Sequence, residues 1–179
     1  MLDRLGAARA QHVAQIGSHV MQIEYLADHP LLVPQLSGLH FEQWAYLRPG
    51  GTLEERTRRL EACCGRGGVP CVVVALSDGT LCGSAMLVAL DMKTRPELTP
   101  WLAGVYVVAA YRGLGYGSAL VQRVEFEASA LGVRRLYLYT PDAVGFYARL
   151  GWVEDERCEY LGHEVSVMSK LLGPGDVST

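Results

Sequence analysis

The sequence predicts one α+β (mixed α/β) domain built around a mixed β-sheet, on three observations. The length of 179 residues is close to that of one domain, and the 50% apolar content is enough for a buried core. The first half of the chain contains strand patterns joined by a tight turn. The second half alternates strand, helix, strand and helix before two final strands, which predicts one right-handed β-α-β crossover.

The first elements are a strand, a helical region and a capped helix. Residues 20–26 alternate in polarity and predict a strand. Residues 28–47 have a helical pattern, but three residues interrupt it: Pro30, Pro34 and Gly38. Because proline and glycine break helices, we expect two short helices there. The capping box at residues 52–55 begins another helix, which runs to about Cys64.

A hairpin occupies the middle of the chain. Residues 71–76 are apolar and rich in valine, which is typical of a buried strand. The turn sequence Ser-Asp-Gly at 77–79 leads to a returning strand at 81–90. A loop at 95–100, bounded by prolines, then leads to a strand at 101–108.

The second half supplies the crossover and the last strands. Its predicted elements are a glycine-rich loop at 113–117, a helix at 118–131, a strand at 135–140, a helix ending at Leu150, and two strands at 152–160 and 165–171. Gly132 fits the position just after a helix. Thr140 and Pro141 fit the N-cap and first position of the next helix.

Composition excludes several classes of function. The net charge is −3, so a globally basic nucleic-acid-binding surface is absent. The longest apolar run, 101–111, is shorter than the ~20 residues that a membrane-spanning helix needs. The five cysteines show no CxxC spacing, so we expect reduced thiols, no metal site and a cytoplasmic location.

The ends of the chain have weaker patterns than its middle. We expect residues 1–20 to be an N-terminal extension, flexible or helical, residues 21–172 to form the domain, and residues 173–179 to be a flexible tail. The helical alternative would place four apolar residues on one face: Leu5, Ala8, Val13 and Ile16.

The glycine-rich loop predicts an anion site. Gly113, Gly115 and Gly117 let backbone amides approach a ligand, and the following helix adds unpaired N–H groups. Arg112 adds a charged donor. A tight turn without a ligand is the alternative. A Walker loop would need Gly-Lys-Ser/Thr, and a dinucleotide fingerprint would need glycine where Ser118 stands.

The residues around this loop resemble the GNAT superfamily of acyl-CoA-dependent N-acyltransferases. Arg112-x-x-Gly115-x-Gly117 is similar to its Q/R-x-x-G-x-G/A signature, and it lies between a strand and an amphipathic helix. Residues 143–152 resemble the family's closing helix motif, and residues 165–168 resemble its last strand. The resemblance implies a central, mostly antiparallel sheet of about seven strands with one parallel, splayed pair, flanked by about four helices.

The family resemblance also implies the co-substrate, acetyl-CoA, and its pose. The pantetheine arm would lie between the splayed strands and pair with the backbone of Val105, Tyr106 and Val107. The pyrophosphate would lie on the glycine loop. The residues expected there are Arg112, Gly113, Leu114, Gly115, Tyr116, Gly117 and Ser118. Thr140 stands where the family often has asparagine, and we expect it near the pantetheine.

Tyr147 is the predicted catalytic acid, because the family usually places a tyrosine four residues before the glycine that here is Gly151. A phenol can protonate a leaving thiolate. No carboxylate lies in 101–108, where some relatives carry a base. The flanking acids Asp91, Glu97 and Glu42 are candidates for a base or for a substrate-orienting charge, and water can replace them. The aromatic candidates for the acceptor pocket are Trp44, Tyr46 and Trp101.

These features together predict an N-acetyltransferase that moves an acetyl group to a primary amine by direct attack in a ternary complex. The acceptor stays open between a small-molecule amine and a peptide or protein amine. We expect no nucleic-acid or membrane partner, and the sequence leaves open whether the chain forms a homodimer. The alternatives are a non-catalytic acyl-CoA sensor and a partner-binding protein on the same fold.

Overall fold

The computed structural model describes residues 12–16 and 19–173, and within them it forms one sheet. The strands are β1 His12–Ile16, β2 His19–Tyr25, β3 Cys71–Ser77, β4 Thr80–Val88, β5 Trp101–Val107, β6 Arg135–Thr140, β7 Val153–Tyr160 and β8 His163–Leu171. Their order across the sheet is β1-β2-β3-β4-β5-β6-β8-β7, and β5 with β6 is the parallel pair. The predicted mixed sheet is confirmed, and the described residues add one strand to the seven expected.

Four α-helices connect and cover the strands in the described ranges. They are α1 Val33–Trp44, α2 Leu53–Ala62, α3 Tyr116–Ala130 and α4 Val144–Arg149. Short 3₁₀ turns flank α1 at Leu26–Asp28, Pro30–Leu32 and Ala45–Leu47, and one precedes α3 at Ala109–Tyr111. No helix in the described residues is both long and apolar enough to cross a membrane.

Two helix predictions are corrected by the structure. The region 28–47 holds one α-helix instead of two, because Pro34 lies in the first turn of α1, where proline is tolerated. Gly38 lies inside that helix. Helix α4 begins later than expected, because the Thr140 hydroxyl accepts the Ala143 N–H at 3.0 Å and closes a turn ahead of the helix.

The N-terminal region also differs from its prediction. Val13 and Ile16 lie on a strand that pairs antiparallel with β2, and not on a helix. An edge strand offers unpaired backbone groups, and β1 satisfies those of β2. The other two positions of the expected helix, Leu5 and Ala8, and most of the expected tail, 174–179, lie outside the described residues.

Two hydrophobic cores lie on opposite faces of the sheet. On one face, here called the α3 face, the core includes Leu120 and Val124 of α3 and Tyr147 of α4. On the other, the α1 face, it includes Leu36 of α1 and Leu60 of α2. Strand β3 is buried along its whole length and divides its side chains between the two cores. This explains why its sequence is a continuous apolar run.

The centre of the sheet is opened by a bulge and a splay. The register of β4 with β5 shifts between Ser84 and Met86, and Gly104 at the shift has φ +58°. The parallel strands β5 and β6 pair only at Trp101 and Tyr137, so beyond that point they separate. The splayed pair that the family resemblance implied is therefore present, and its gap positions the site described next.

Candidate active site

A cleft of about 1010 Å³ follows the gap between β5 and β6. It is lined from both faces of the sheet, because Tyr147 reaches it from the α3 face and Leu60 from the α1 face. Nine of the sequence-predicted site residues line it: Trp44, Tyr46, Asp91, Val105, Tyr106, Val107, Arg112, Thr140 and Tyr147. The splay thus brings together residues that the sequence separates by about a hundred positions.

The glycine loop lies at the end of β5, next to the cleft. Gly115 has φ +87° and is the N-cap of α3, and its carbonyl accepts the Ala119 N–H at 3.0 Å. In a helix that begins this way, the first three N–H groups have no helical partner. They belong to Tyr116, Gly117 and Ser118, and the tip of the loop, Gly113 to Gly115, is exposed. The loop therefore presents free amides and a positive helix end.

Three residues of the loop make contacts within the fold that the motif alone does not predict. The Arg112 Nε donates to the Val107 carbonyl at 2.9 Å, which ties the loop to the end of β5. The ring of Tyr116 is buried, so only its backbone can face a ligand. A Cβ on Gly117 would lie 3.3 Å from the ring of Phe146, so this glycine also allows α3 to pack against α4.

Tyr147 is a buried phenol at the cleft. Its ring is 8% exposed and packs edge-on against Phe146 and Trp152. Burial raises the pKa of Tyr147 above its ordinary value, and the negative charge of Asp142 raises it further. The hydroxyl therefore stays protonated at neutral pH and can act as a hydrogen-bond donor, although the raised pKa makes it a weaker acid than a free phenol.

A buried polar chain that the sequence did not suggest supports the bulge. Arg56 Nη2 donates to His40 Nδ1 at 2.8 Å, so Nε2 carries the ring proton and donates to Ser84 Oγ at 2.7 Å. Ser84 Oγ in turn donates to the Gly104 carbonyl at 3.1 Å. Burial, with the charge of Arg56, lowers the pKa of His40 from 6.5 to about 3. His40 is thus a neutral link that holds the backbone at the bulge.

Asp91 is one of the acids that line the cleft, and it lies close enough to Arg56 of this polar chain to interact electrostatically with it. Burial raises the pKa of Asp91 from 3.8 to about 6, although the charges of Arg48 and Arg56 act in the opposite direction. Tyr139 interacts electrostatically with Asp91. Burial raises the pKa of Tyr139, and the negative charge of Asp91 raises it further. Asp91 therefore changes charge just below neutral pH, which suits a group that exchanges protons.

Aromatic rings line the same end of the cleft. Trp44 lies 4.9 Å from His40 and 6.2 Å from Tyr106 between ring centroids, both edge-on. The Arg56 guanidinium lies 5.6 Å from the centroid of the Trp44 ring. Tyr46 lines the cleft as well, and its ring is half exposed. These rings give the pocket one apolar wall.

Three predicted substrate residues do not line the cleft. Trp101 is fully buried, and its indole N–H donates to the Leu98 carbonyl at 2.6 Å. Its position at the start of β5, where the strands still pair, places it in the core of the α1 face. Glu42 and Glu97 are exposed and lie outside the cleft. Asp91 is thus the one remaining member of the three acids considered from the sequence.

Some of the missed residues had a signal in the sequence and others had none. Gly104 interrupts a strand pattern, which indicates a bulge. His40, Arg56 and Ser84 come from two helices and a strand, and no spacing connects them. Among the described residues, no group of three His, Cys, Asp or Glu side chains is arranged to hold a metal ion.

The comparisons with known proteins agree with this geometry. The family model described as "Acetyltransferase (GNAT) family" matches residues 35–152. The structure of yncA from Salmonella typhimurium with acetyl-CoA is similar, with a TM-score of 0.66, 18% identity, and coverage of 89% of this chain and 98% of that one. An aminoglycoside 6'-acetyltransferase type Ii has a TM-score of 0.67, 22% identity, and coverage of 85% and 97%.

A third similar structure is a phosphinothricin acetyltransferase from Sinorhizobium meliloti in complex with acetyl-CoA. Its TM-score is 0.63 and its identity 19%, and the match covers 91% of this chain and 93% of that chain. At such identities the structural matches establish the fold, whereas the family model spans about two thirds of the chain. The splayed sheet, the glycine loop and the family match together show that the chain belongs to the acetyltransferase (GNAT) family and is a GNAT-type acyltransferase.

Proposed function

We propose that the chain transfers the acetyl group of acetyl-CoA to a primary amine by direct attack in a ternary complex. One observation carries this proposal: the cleft along the gap between β5 and β6 extends from Val107 and Arg112, beside the loop of free amides, to a pocket with Asp91. A long thioester can occupy such a gap with its phosphates at the loop. The amine can then enter from the opposite end, so the two reactants meet inside the cleft.

The residues present fit acetyl-CoA as a substrate. Beyond Trp101 the edge of β5 has no pairing with β6, so the backbone of Val105 to Val107 can pair with the pantetheine amides. The pyrophosphate would lie on the amides of Gly113 to Ser118, with Arg112 beside it. The hydroxyl of Thr140 is already engaged by the Ala143 N–H, so its contribution to the pantetheine would come through a remaining lone pair.

The chemistry needs one oxyanion site and two proton transfers. The amine lone pair forms a bond to the thioester carbon, and a backbone N–H of β5, such as that of Val107, stabilises the developing oxyanion. The C–S bond then breaks and Tyr147 gives its proton to the leaving sulfur. Asp91, directly or through water, takes the proton that the amine nitrogen loses. The products are an amide and CoA, and solvent returns both residues to their starting states.

Direct attack is favoured over a covalent acyl-enzyme. Cys63 is the one cysteine that lines the cleft in the described residues. Burial raises the pKa of the Cys63 thiol, so the reactive thiolate is scarce at neutral pH. The five free cysteines also agree with a cytoplasmic location, which we propose for the chain.

The test is binding followed by transfer. Calorimetry should show acetyl-CoA binding, competition by free CoA and no competition by NADH. Release of free thiol across a panel of small-molecule and peptide amines should then show turnover. Binding without transfer to any amine would favour an acyl-CoA sensor. Absence of any CoA affinity would contradict the assignment of the cleft.

A further inference from the structure

The acceptor end of the cleft is positively charged. Four cationic side chains line it there: Arg48, Arg56, Arg59 and Lys93. Three acids line the cleft, Asp91, Glu55 and Asp142. Glu55 is engaged with Thr52 in the capping box of α2, and the charge of Asp142 acts on Tyr147. The chain as a whole carries a net charge of −3. The positive excess is therefore a local property of this pocket.

Within the part of the chain that the structure describes, these cations are not used in internal ion pairs. Other arginines on the described surface have carboxylate partners, for example Arg58 with Glu54 and Arg66 with Asp28. None of the four lining cations forms an ion pair with a carboxylate of the described residues. The buried Nε of Arg56 has no hydrogen-bond partner at all. Asp91 acts electrostatically on Arg48 and Arg56 without a close ion pair, so a positive excess is left that is suited to an anionic ligand.

The position of these cations separates them from the predicted pyrophosphate site. Val88 pairs with Trp101 at the start of β5, and Gly83 pairs with Val107 at its end. Asp91 follows Val88, whereas the glycine loop follows Val107. A strand of seven residues spans roughly 20 Å at about 3.3 Å per residue. Arg48 and Arg56, which act electrostatically on Asp91, are therefore at the acceptor end.

We propose that the acceptor is a small amine that also carries an anionic group, a carboxylate, phosphonate or phosphate, and that Arg48 binds this group. The inference rests on the proposed acetyl transfer and adds the class of its acceptor. A guanidinium binds such oxyanions through paired hydrogen bonds, and Arg56 adds positive charge beside it. Asp91 attracts the ammonium end of the same molecule. A polycationic amine would instead meet four cations at the pocket.

The test uses matched amines and a matched pair of variants. The panel contains L-amino acids, their carboxamides, aminoalkylphosphonates, and two polycations, spermidine and an aminoglycoside. We expect kcat/KM for the best anionic amine to exceed that of its neutral counterpart at least tenfold. Arg48→Gln should raise KM for the anionic amine at least tenfold more than KM for its neutral counterpart, and a smaller effect common to both amines is expected because Arg48 acts on the charge of Asp91. Arg58→Gln, on the exposed side of α2, should change neither.

Preference for a polycation, or an Arg48→Gln variant with unchanged KM for every anionic amine, would overturn the inference. Calorimetry of the same amines with the CoA-saturated protein separates it from the proposed function. If anionic amines bind through Arg48 but none is acetylated, the assignment of the pocket to anionic amines stands and the transferase proposal fails. If transfer occurs equally to neutral and anionic amines, the transferase proposal stands and this inference fails.

Discussion

The two ends of the cleft present different parts of the polypeptide to a ligand. The end at α3 offers mainly backbone: the amides of the glycine loop, the unpaired edge of β5 and one buried phenol, Tyr147. The end at α1 offers charged and aromatic side chains, among them Arg48, Trp44 and Asp91. The backbone end suits a ligand that is constant, and the side-chain end suits an acceptor that can differ between relatives.

The same difference appears in the electrostatics. On the α3 face, burial keeps Tyr147 in its neutral form. On the α1 face, burial keeps His40 neutral. Burial also disfavours the charged form of Asp91, whereas the positive charges of Arg48 and Arg56 favour it. The pKa values of His40 and Asp91 are therefore shifted by folding, so the free energy of unfolding depends on pH through these two groups.

The largest effect is expected at the backbone end, in Tyr147→Phe. The phenylalanine keeps the packing against Phe146 and Trp152 but removes the hydroxyl proton. We expect the single-turnover rate to fall about 100-fold, at the lower end of the general-acid range, since solvent partly replaces the phenol. The acetyl-CoA affinity should not change. Tyr137→Phe, which lies outside the cleft, is the control. A wild-type single-turnover rate would assign Tyr147 to packing alone.

The second effect is a loss of stability in His40→Ala. The substitution leaves a cavity and removes the partner of both Arg56 and Ser84. We expect the free energy of unfolding to fall by about 2 kcal/mol at pH 8, measured by urea titration.

The pH dependence identifies the role of His40 further. The folded pKa of His40, about 3, lies below the ordinary value of 6.5. The unfolded chain therefore binds a proton that the folded chain does not, and stability falls as the pH is lowered from 6.5 toward 3. His40→Ala should lose this part of the acid sensitivity. An unchanged acid slope would mean that the pKa of His40 is the same in the folded and the unfolded chain.

The third effect concerns the glycine loop. Gly117→Val should weaken acetyl-CoA binding at least tenfold, about 1.4 kcal/mol. The added side chain would also press on Phe146, which lies 3.3 Å from the position of a Cβ. Calorimetry with S-acetylpantetheine, which lacks the pyrophosphate, separates the two causes. Equal losses for both ligands would assign the effect to packing between α3 and α4 and contradict the phosphate cradle.

The two ends also differ in how far the sequence could predict them. A backbone site needs glycines at fixed positions, and so Gly113, Gly115 and Gly117 form a contiguous motif. The parallel, splayed pair was implied by the family resemblance that this motif carries. The polar chain through Arg56, His40 and Ser84 depends on how α1, α2 and β4 pack, and tertiary packing leaves no local pattern. Trp101 was misplaced because a strand sequence does not show which face its ring occupies.

The smallest effect is expected at the acceptor end, in Asp91→Asn. The folded pKa of Asp91, about 6, lies above the ordinary 3.8, so the folded chain holds a proton that the unfolded chain releases between these pH values. The contribution of Asp91 to the free energy of unfolding is therefore fully present below pH 3.8 and is lost as the pH rises through about 6. Asp91→Asn should raise the free energy of unfolding by about 1 kcal/mol at pH 8, after allowance for partial solvent screening, and by nothing near pH 4.

The same variant tests whether the raised pKa of Asp91 serves catalysis. If Asp91 takes the proton of the amine, wild-type kcat/KM for the acceptor should rise with pH through about 6, and Asp91→Asn should lose this limb and follow the ionisation of the amine alone. Glu97→Gln, an exposed acid outside the cleft, should change neither the stability nor the profile. An Asp91→Asn protein that gains stability at pH 8 but keeps the wild-type profile would show that solvent takes the proton. One that loses stability at pH 8 would show that the two arginines outweigh desolvation, and that the charge of Asp91 belongs to the fold.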